Sequence, residues 1–291
     1  MEKLTPGEPQ SATDYDDRTS TAVKKVLIEI GQILGSFKGK FAIVGGAVPW
    51  LLLGNDDMPH VGTVDVDLSL DAEALGDGEY ATLVEALQEH GYQQRRDLRR
   101  FQLLRQVPTE DEGAPIDIIV DFLMPRDAEI VKNVPPLISD FAVQRADGAD
   151  LALRFYQWVA ISGPMPAGGT NRVEIAVCSI PALLAMKGHA IEGRYKQKDA
   201  YDIYYCIRNY PGGADVLAEE CRALLLHPSA AAGYGFIDRK FDSVDGFGPT
   251  CVRHFVEQSQ VLGERTPEQW QQDAYGQIDA WLRALGIRGP A

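Results

Sequence analysis

The stretch FAIVGGAVPWLLLGNDDMPHVGTVDVDLSLD, residues 41–71, decides the fold. It predicts an apolar strand that ends at Gly45-Gly46, then a short helix, a polar loop and a second strand over Thr63–Leu70. The second strand carries Asp65 and Asp67 between apolar residues. Side chains two residues apart on a strand share a face, so both carboxylates point the same way. Because aligned carboxylates repel each other unless a cation or a proton lies between them, this strand predicts a cation site.

The remainder of the first 180 residues alternates between helical and strand patterns. Apolar residues spaced three and four apart predict helices, and β-branched runs between turn residues predict strands. A turn rich in Gly and Pro, over 163–171, joins the last two strands. The predicted helices are 21–37, 47–53 and 79–90, and the predicted strands are 41–44, 63–70, 101–107, 115–124, 151–162 and 172–179.

Helical patterns dominate the chain after residue 180. Pro181 stands at the first position of a helix, where proline is favoured. The predicted helices are 181–192, 198–209, 214–226, 250–262 and 266–285. We therefore expect an α+β fold with three regions: a poorly ordered polar arm over 1–18, a mixed-sheet domain over 19–179, and a mostly helical domain over 180–291.

Composition excludes several classes of protein. The longest apolar runs fall short of the ~20 residues that span a membrane, and the start of the sequence lacks the apolar core of a secretory signal. The four cysteines are widely spaced and the five histidines are isolated, which argues against a zinc site and a disulfide framework. We expect a reduced, cytoplasmic protein.

The net charge of -14 opposes general binding to nucleic acid. Basic residues nevertheless cluster at 95–105 and at 187–198. Each cluster is either a local positive cleft on an acidic body or an ordinary solvated face.

A later strand, PIDIIVDFLM at 115–124, offers a further carboxylate. Asp117 and Asp121 share one face of it by the period-two rule. If this strand neighbours Asp65 and Asp67, the carboxylates can hold divalent ions, Mg²⁺ or alternatively Mn²⁺, for phosphoryl chemistry. The Gly-Gly turn lets backbone N–H groups approach a triphosphate.

A fourth feature is KGHAIEGRYKQKDAYDIYYCI, which begins at Lys187. Lys187 follows an apolar helical run, so its ammonium group must reach solvent or meet an anion. Arg194 lies seven residues later, which is two helical turns if the helix continues through Gly193. Asp199 and Asp202 share a helix face, and they act either in catalysis or as salt-bridge partners of Lys198 and Arg194.

These motifs together resemble the nucleotidyltransferase superfamily with the DNA polymerase β-like fold. More narrowly, they resemble the AbiEii-type toxins of type IV toxin–antitoxin and phage-defence systems. The likeness covers roughly residues 40–210, and the stretch from Lys187 is its most specific part. One departure is the segment His60-Val61-Gly62-Thr63, where the family often carries an arginine.

The resemblance implies a role for each matching residue. The metal would be held by Asp65, Asp67 and a third carboxylate that activates the acceptor hydroxyl. Between Asp117 and Asp121 we prefer Asp117 for that third position. The nucleotide phosphates would be contacted by Gly45, Gly46 and Lys187, with Asp202 supporting Lys187. The residues themselves add the Thr63 hydroxyl and Arg194 as expected nucleotide contacts.

The expected function is transfer of a nucleoside monophosphate from an NTP to RNA, at a tRNA 3′ end. The protein would be a toxin opposed by an antitoxin that acts mainly on transcription. Two alternatives stay open: a nucleotidyltransferase for small molecules of the antibiotic type, and a non-catalytic nucleotide-binding module.

Overall fold

The computed structural model describes residues 11–54, 57–75, 78–109, 113–128, 143–257 and 263–289. The chain divides into two compact units. The sheet unit comprises Asp17–Val48 and Gly62–Ser179, and the helical unit comprises Met1–Asp16, Pro49–Val61 and Ile180–Ala291. The connection between the Gly45-Gly46 turn and the strand of Asp65 therefore belongs largely to the helical unit, which the sequence did not predict.

The sheet unit contains seven described strands. They are β1 (Phe41–Val44), β2 (Asp65–Leu70), β3 (Gln102–Val107), β4 (Ile116–Pro125), β5 (Gln144–Ala146), β6 (Tyr156–Pro164) and β7 (Thr170–Cys178). The helices of the sheet unit are α1 (Asp17–Ile33), α3 (Glu79–Glu89) and α4 (Ala149–Arg154), and α2 (Ala47–Leu52) begins in the sheet unit and ends in the helical unit.

The sheet is mixed, with strand order β3-β4-β2-β1-β7-β6 and with β5 added beside the end of β4. The pairs β2–β4, β1–β7 and β4–β5 are parallel. The pairs β1–β2, β3–β4 and β6–β7 are antiparallel. This order puts β2, the strand with Asp65 and Asp67, at the centre of the sheet between β1 and β4.

Helix α1 packs closely on the sheet through an apolar stripe. Val23, Val26, Leu27 and Ile30 are fully buried, as their helical spacing predicts. At Gly31 an added Cβ would lie 2.7 Å from Cγ2 of Val173, so glycine is what allows the helix backbone to approach β7. This packing covers part of one face of the sheet.

The helical unit consists mainly of α5 to α10. They span α5 (Ile180–Gly193), α6 (Gln197–Arg208), α7 (Gly213–Leu224), α8 (Pro228–Lys240), α9 (Phe247–Val256) and α10 (Pro267–Leu285). Helices α5 and α8 cross at glycine: a Cβ at Gly188 would overlap the backbone of Gly233, and one at Gly233 would overlap the backbone of Ala185. None of the described helices is both long enough and apolar enough to cross a membrane.

The predicted α+β class, with a mixed sheet and a helical C-terminal part, is confirmed. One predicted strand was wrong at its start, because 149–154 form helix α4 and β6 begins only at Tyr156. A short apolar run is compatible with the spacing of a helix and with that of a strand. Here a helix begins after Gly148, which has a left-handed backbone conformation at φ +77°. The sequence analysis missed helix α8, because this helix packs on α5 through small residues and its sequence has few apolar residues at helical spacing.

The predicted arm does not hold over residues 11–18. A 3₁₀ helix spans Ala12–Asp14, Ala12 is buried, and α1 already begins at Asp17. Within the helical unit the Tyr15 ring meets the Phe255 ring edge-on, at 5.9 Å between centroids. Residues 1–10 of the arm and residues 258–262 of the helix predicted over 250–262 lie outside the described residues.

Candidate active site

The Gly45-Gly46 turn packs directly against the carboxylate of Asp67. Gly45 has φ +71°, a left-handed conformation that favours glycine. A Cβ placed on Gly45 would overlap the Asp67 carboxylate. Val44, just before the turn, is the register partner of Asp67. Position 45 therefore requires glycine for two reasons: its φ is positive, and a side chain there would overlap the Asp67 carboxylate.

The register between β2 and β4 brings one further aspartate to this point. Asp67 lies directly opposite Asp121 on the neighbouring parallel strand, and Asp65 lies opposite Ile119. Opposed residues on adjacent strands point to the same face. All three carboxylates thus share a face of the sheet, and each residue is half-buried. The Thr63 hydroxyl, which is buried, donates a hydrogen bond to Oδ1 of Asp65 at 2.6 Å.

Asp117 lies elsewhere on β4. It is the register partner of Gln106, four residues before Asp121 and about 13 Å away along the strand. Its carboxylate accepts hydrogen bonds from Gln106 Nε2 at 2.8 Å and from Arg95 Nη1 at 3.4 Å. The preference for Asp117 as the carboxylate beside Asp65 and Asp67 does not match this register, which places Asp121 there.

The donor set of this face suits a hard cation. Among the described residues, no three His, Cys, Asp or Glu side chains already form a metal-binding cluster. Mg²⁺ does not require one, because it commonly binds through one or two carboxylates and completes its coordination with water and substrate phosphates. Asp67 and Asp121, side by side on adjacent strands, fit that requirement with oxygen ligands alone.

The helical unit holds a buried ion cluster around the predicted lysine. Lys187 Nζ lies 2.7 Å from Oδ1 of Asp199 and 2.7 Å from Oδ2 of Asp202. Arg194 Nε donates to Asp199 at 2.8 Å, and Lys198 Nζ donates to Asp202 at 2.8 Å. Both aspartate side chains are fully buried. Lys187 thus meets Asp199 and Asp202, and the alternative pairs with Arg194 and Lys198 form as well.

Burial and mutual attraction oppose each other in the pKa values of this cluster. Burial alone would lower the pKa of Lys187, but the charges of Asp199 and Asp202 outweigh it and raise that pKa above its ordinary value. Burial would raise the pKa of Asp202, yet Lys187 and Lys198 hold it well below its usual range. The aspartates and Lys187 are therefore charged at neutral pH, and the cluster is an electrostatic unit.

His60 belongs to this cluster, and the sequence did not reveal it. Its side chain is 1% exposed, and Nε2 lies 3.0 Å from Oδ1 of Asp202. Its ring lies 4.7 Å from the Tyr205 ring, edge to face. Burial, followed by the charge of Lys198, lowers the pKa of His60 to about 4, so the ring is neutral at pH 7. Because a carboxylate only accepts, Nε2 carries the proton that bonds Asp202.

Nothing in the spacing of His60 could have identified this contact, because its partner is 142 residues away. Lys198 was easier to find, since it lies four residues before Asp202 on the same helix.

A family model for the nucleotidyl transferase AbiEii toxin of type IV toxin–antitoxin systems matches residues 35–274. The chain belongs to the AbiEii nucleotidyl transferase family. The match spans the Gly-Gly turn, the aspartate strands and the lysine cluster. The AbiEii assignment makes the chain a nucleotidyl-transferring enzyme with a nucleotide substrate, and a toxin family of this type implies an antitoxin partner.

Several solved structures resemble the AbiEii chain. One of them is the crystal structure of a candidate nucleotidyltransferase from H. pylori, with 10% sequence identity, a TM-score of 0.48, and coverage of 94% of this chain and 100% of that one. A likeness at this level does not bear on the chemistry of the site. No curated protein matches the chain significantly.

Proposed function

We propose that this AbiEii protein transfers a nucleoside monophosphate from an NTP to an acceptor hydroxyl, with Asp65, Asp67 and Asp121 as its carboxylates. The register that sets Asp121 opposite Asp67 carries the proposal. Two carboxylates side by side on the central strands, beside a glycine turn, are what a metal-assisted phosphoryl transfer needs from the protein.

The transfer requires a base that accepts the proton of the acceptor hydroxyl and a leaving group that departs from the α-phosphorus. Asp121 takes the proton from the acceptor hydroxyl. The resulting oxygen forms a bond to the α-phosphorus of the NTP, and the bond from that phosphorus to the bridging oxygen breaks to release pyrophosphate. Asp65 and Asp67 would hold Mg²⁺ or Mn²⁺ together with Asp121, and the ion when bound supplies charge neutralisation at the phosphates.

The phosphates have two sets of proposed contacts. Gly45 and Gly46 offer the backbone N–H groups of the turn. Lys187 and Arg194 offer positive charge, with Asp202 holding Lys187. The side chain of Arg194 is 37% exposed and that of Lys187 only 9%, so Arg194 is the more accessible cation.

Thr63 takes a different role from the phosphate contact expected of it. Its hydroxyl proton already goes to Asp65. We therefore propose that Thr63 fixes the orientation of that carboxylate.

For the acceptor we propose RNA, at a tRNA 3′ end, in the cytoplasm, with an antitoxin that acts mainly on transcription. Membership of the chain in a toxin family of type IV toxin–antitoxin systems supports this proposal.

The net charge of -14 favours a second candidate, a small-molecule acceptor. Two arginines of the basic cluster at 95–105 already neutralise acidic side chains, which also favours the second candidate. Arg95 pairs with Asp97, and Arg105 forms a bidentate ion pair with Glu29.

The test is incubation of the purified protein with each labelled NTP, Mg²⁺, total RNA and a small-molecule extract of cells. We expect label in RNA, loss of label on chelation of the metal, and loss in Asp67→Asn. Label in small molecules alone would establish the second candidate. NTP binding without any transfer, unchanged in Asp67→Asn, would overturn the proposal and leave a nucleotide-binding module.

A further inference from the structure

A cavity of about 390 Å³ lies in the helical unit, at the start of helices α6 and α9. Its lining includes Tyr195 and Gln197 before and at the start of α6, and Asp245, Phe247 and Thr250 around the start of α9. The volume is within the range of roughly 300–1,000 Å³ that is usual for small-molecule sites. None of the roles proposed above uses it.

The apolar part of the cavity is an exposed aromatic surface. Tyr195 is 53% exposed, although it is a large side chain with an apolar ring. Its ring meets that of Phe247 edge-on, with 5.3 Å between centroids. On the Phe247 ring, Lys240 Nζ lies 5.2 Å from the centroid. An edge-to-face pair of this kind anchors the Tyr195 ring while its exposed area stays available for a planar ligand.

The polar part of the cavity suits the edge of a neutral ring better than a phosphate. Gln197 supplies an amide that both donates and accepts, Thr250 a hydroxyl, and His254 an imidazole. Asp245 supplies an exposed carboxylate, which would repel an anion but accepts hydrogen bonds from amino groups. Aromatic area combined with donors and acceptors is the chemistry that recognises a nucleobase.

The cavity adjoins the buried ion cluster of the same unit. Tyr195 directly follows Arg194, whose guanidinium binds Asp199. Gln197 directly precedes Lys198, whose ammonium binds Asp202. On the other wall, burial raises the pKa of the Cys251 thiol to about 11, with Lys240 opposing the rise and Asp199 adding to it. The same short chain segment therefore carries part of the cavity wall and the cations Arg194 and Lys198 of the ion cluster.

We propose that this cavity is a nucleobase-binding pocket in which the base stacks on Tyr195 and is read by Gln197, Asp245 and Thr250. The inference rests on the proposed nucleotidyl transfer for its biological meaning. The base belongs either to the NTP or to the end of the acceptor strand, and binding measurements separate the two.

The decisive comparison is Tyr195→Ala against Tyr195→Phe in the full chain. Stacking needs the ring and not the hydroxyl, so Tyr195→Phe should bind as the natural protein does. Trp158→Ala is the matched control, because it removes another exposed aromatic ring, 42% exposed, from the sheet unit. Binding of ATP, CTP, GTP, UTP and inorganic tripolyphosphate is measured by calorimetry with Mg²⁺ present, and thermal unfolding checks the fold of each variant.

If the pocket holds the base of the NTP, Tyr195→Ala weakens binding of at least one NTP by about 5- to 100-fold and leaves tripolyphosphate unchanged. If it holds a base of the acceptor, NTP binding is unchanged and the KM for RNA rises by a similar factor. Unchanged NTP binding together with an unchanged KM for RNA would overturn the inference. Loss of NTP binding in Tyr195→Ala without transfer by the natural protein would overturn the proposed function and keep the pocket.

Discussion

Asp67 and Asp121 stand opposite each other on adjacent parallel strands, and the Gly45 turn packs on the carboxylate of Asp67. The two aspartates come from segments 54 residues apart, so only the sheet brings them together. Their position on central strands gives them a rigid support, which a phosphoryl-transfer site requires of its ligands.

Gly45→Ala should abolish activity and destabilise the sheet unit. The new methyl group would overlap the Asp67 carboxylate and occupy a left-handed backbone conformation, so we expect a loss of at least ~100-fold in transfer rate and about 2–4 kcal/mol in unfolding free energy. Gly39→Ala is the matched control: its φ is +84°, and no atom lies within 4 Å of the added Cβ. It should lose about 1 kcal/mol and keep its activity. Equal effects in the two variants, by urea unfolding and transfer assay, would contradict the account.

The buried histidine should make stability depend on pH. Burial and Lys198 lower the pKa of His60 to about 4, while the unfolded chain retains a value near 6.5. The unfolded state therefore binds the proton more readily, and the contribution present above pH 6.5 is lost as pH falls toward 4. The loss attributable to His60 reaches up to about 3 kcal/mol. Urea unfolding from pH 7.5 to 4.5 should show a free energy of unfolding that changes less with pH in His60→Gln than in the natural protein. The same pH dependence in both proteins would contradict the account.

Lys187→Met should destabilise the helical unit far more than loss of a surface lysine. Removing the ammonium leaves Asp199 and Asp202 buried with fewer counter-charges, which costs about 3–5 kcal/mol. Lys38→Met breaks an exposed pair with Glu174 and a contact of the ammonium group with the Trp158 ring, and should change stability by only about 1 kcal/mol. The double variant Lys187→Met with Asp202→Asn should recover part of the loss. Strict additivity of the two changes in urea unfolding would show that the buried contact is not energetically coupled.

The crossing of α5 and α8 gives a prediction about packing alone. Gly233→Ala would overlap the backbone of Ala185, and because backbone moves little, we expect a loss of about 2–4 kcal/mol. Gly235 lies on the same helix with nothing within 4 Å of an added Cβ, so Gly235→Ala should gain about 0.5–1 kcal/mol from helix propensity. Thermal unfolding compares the stability of the two variants. A destabilised Gly235→Ala together with an unchanged Gly233→Ala would contradict the close packing of α5 and α8.

The sequence predicted what depends on local pattern. Asp65 and Asp67 share a face because a strand has period two, and the pair of Lys198 with Asp202 follows from helical spacing. The third carboxylate could not be chosen that way. Asp117 and Asp121 have the same parity on β4, and only the register with β2 distinguishes them.

Long-range contacts account for what the sequence missed. The short helix and polar loop between the first two strands were expected to belong to the mixed-sheet domain. Residues 49–61 instead belong to the helical unit and carry His60 to Asp202. Helix α8 was missed for a related reason. At Gly233 the helix contacts the backbone of Ala185 directly, so the sequence lacks the apolar side chain that would have indicated a buried helix face.

The choice between the two β4 aspartates is the most direct test of the site. Asp121→Asn and Asp117→Asn remove the same charge from the same strand, and they are compared by the rate of NMP transfer from labelled NTP to RNA. We expect Asp121→Asn to lose at least ~100-fold in kcat, because it faces Asp67, and Asp117→Asn to stay within about threefold of the natural protein. A large loss in Asp117→Asn with near-normal transfer by Asp121→Asn would contradict the account.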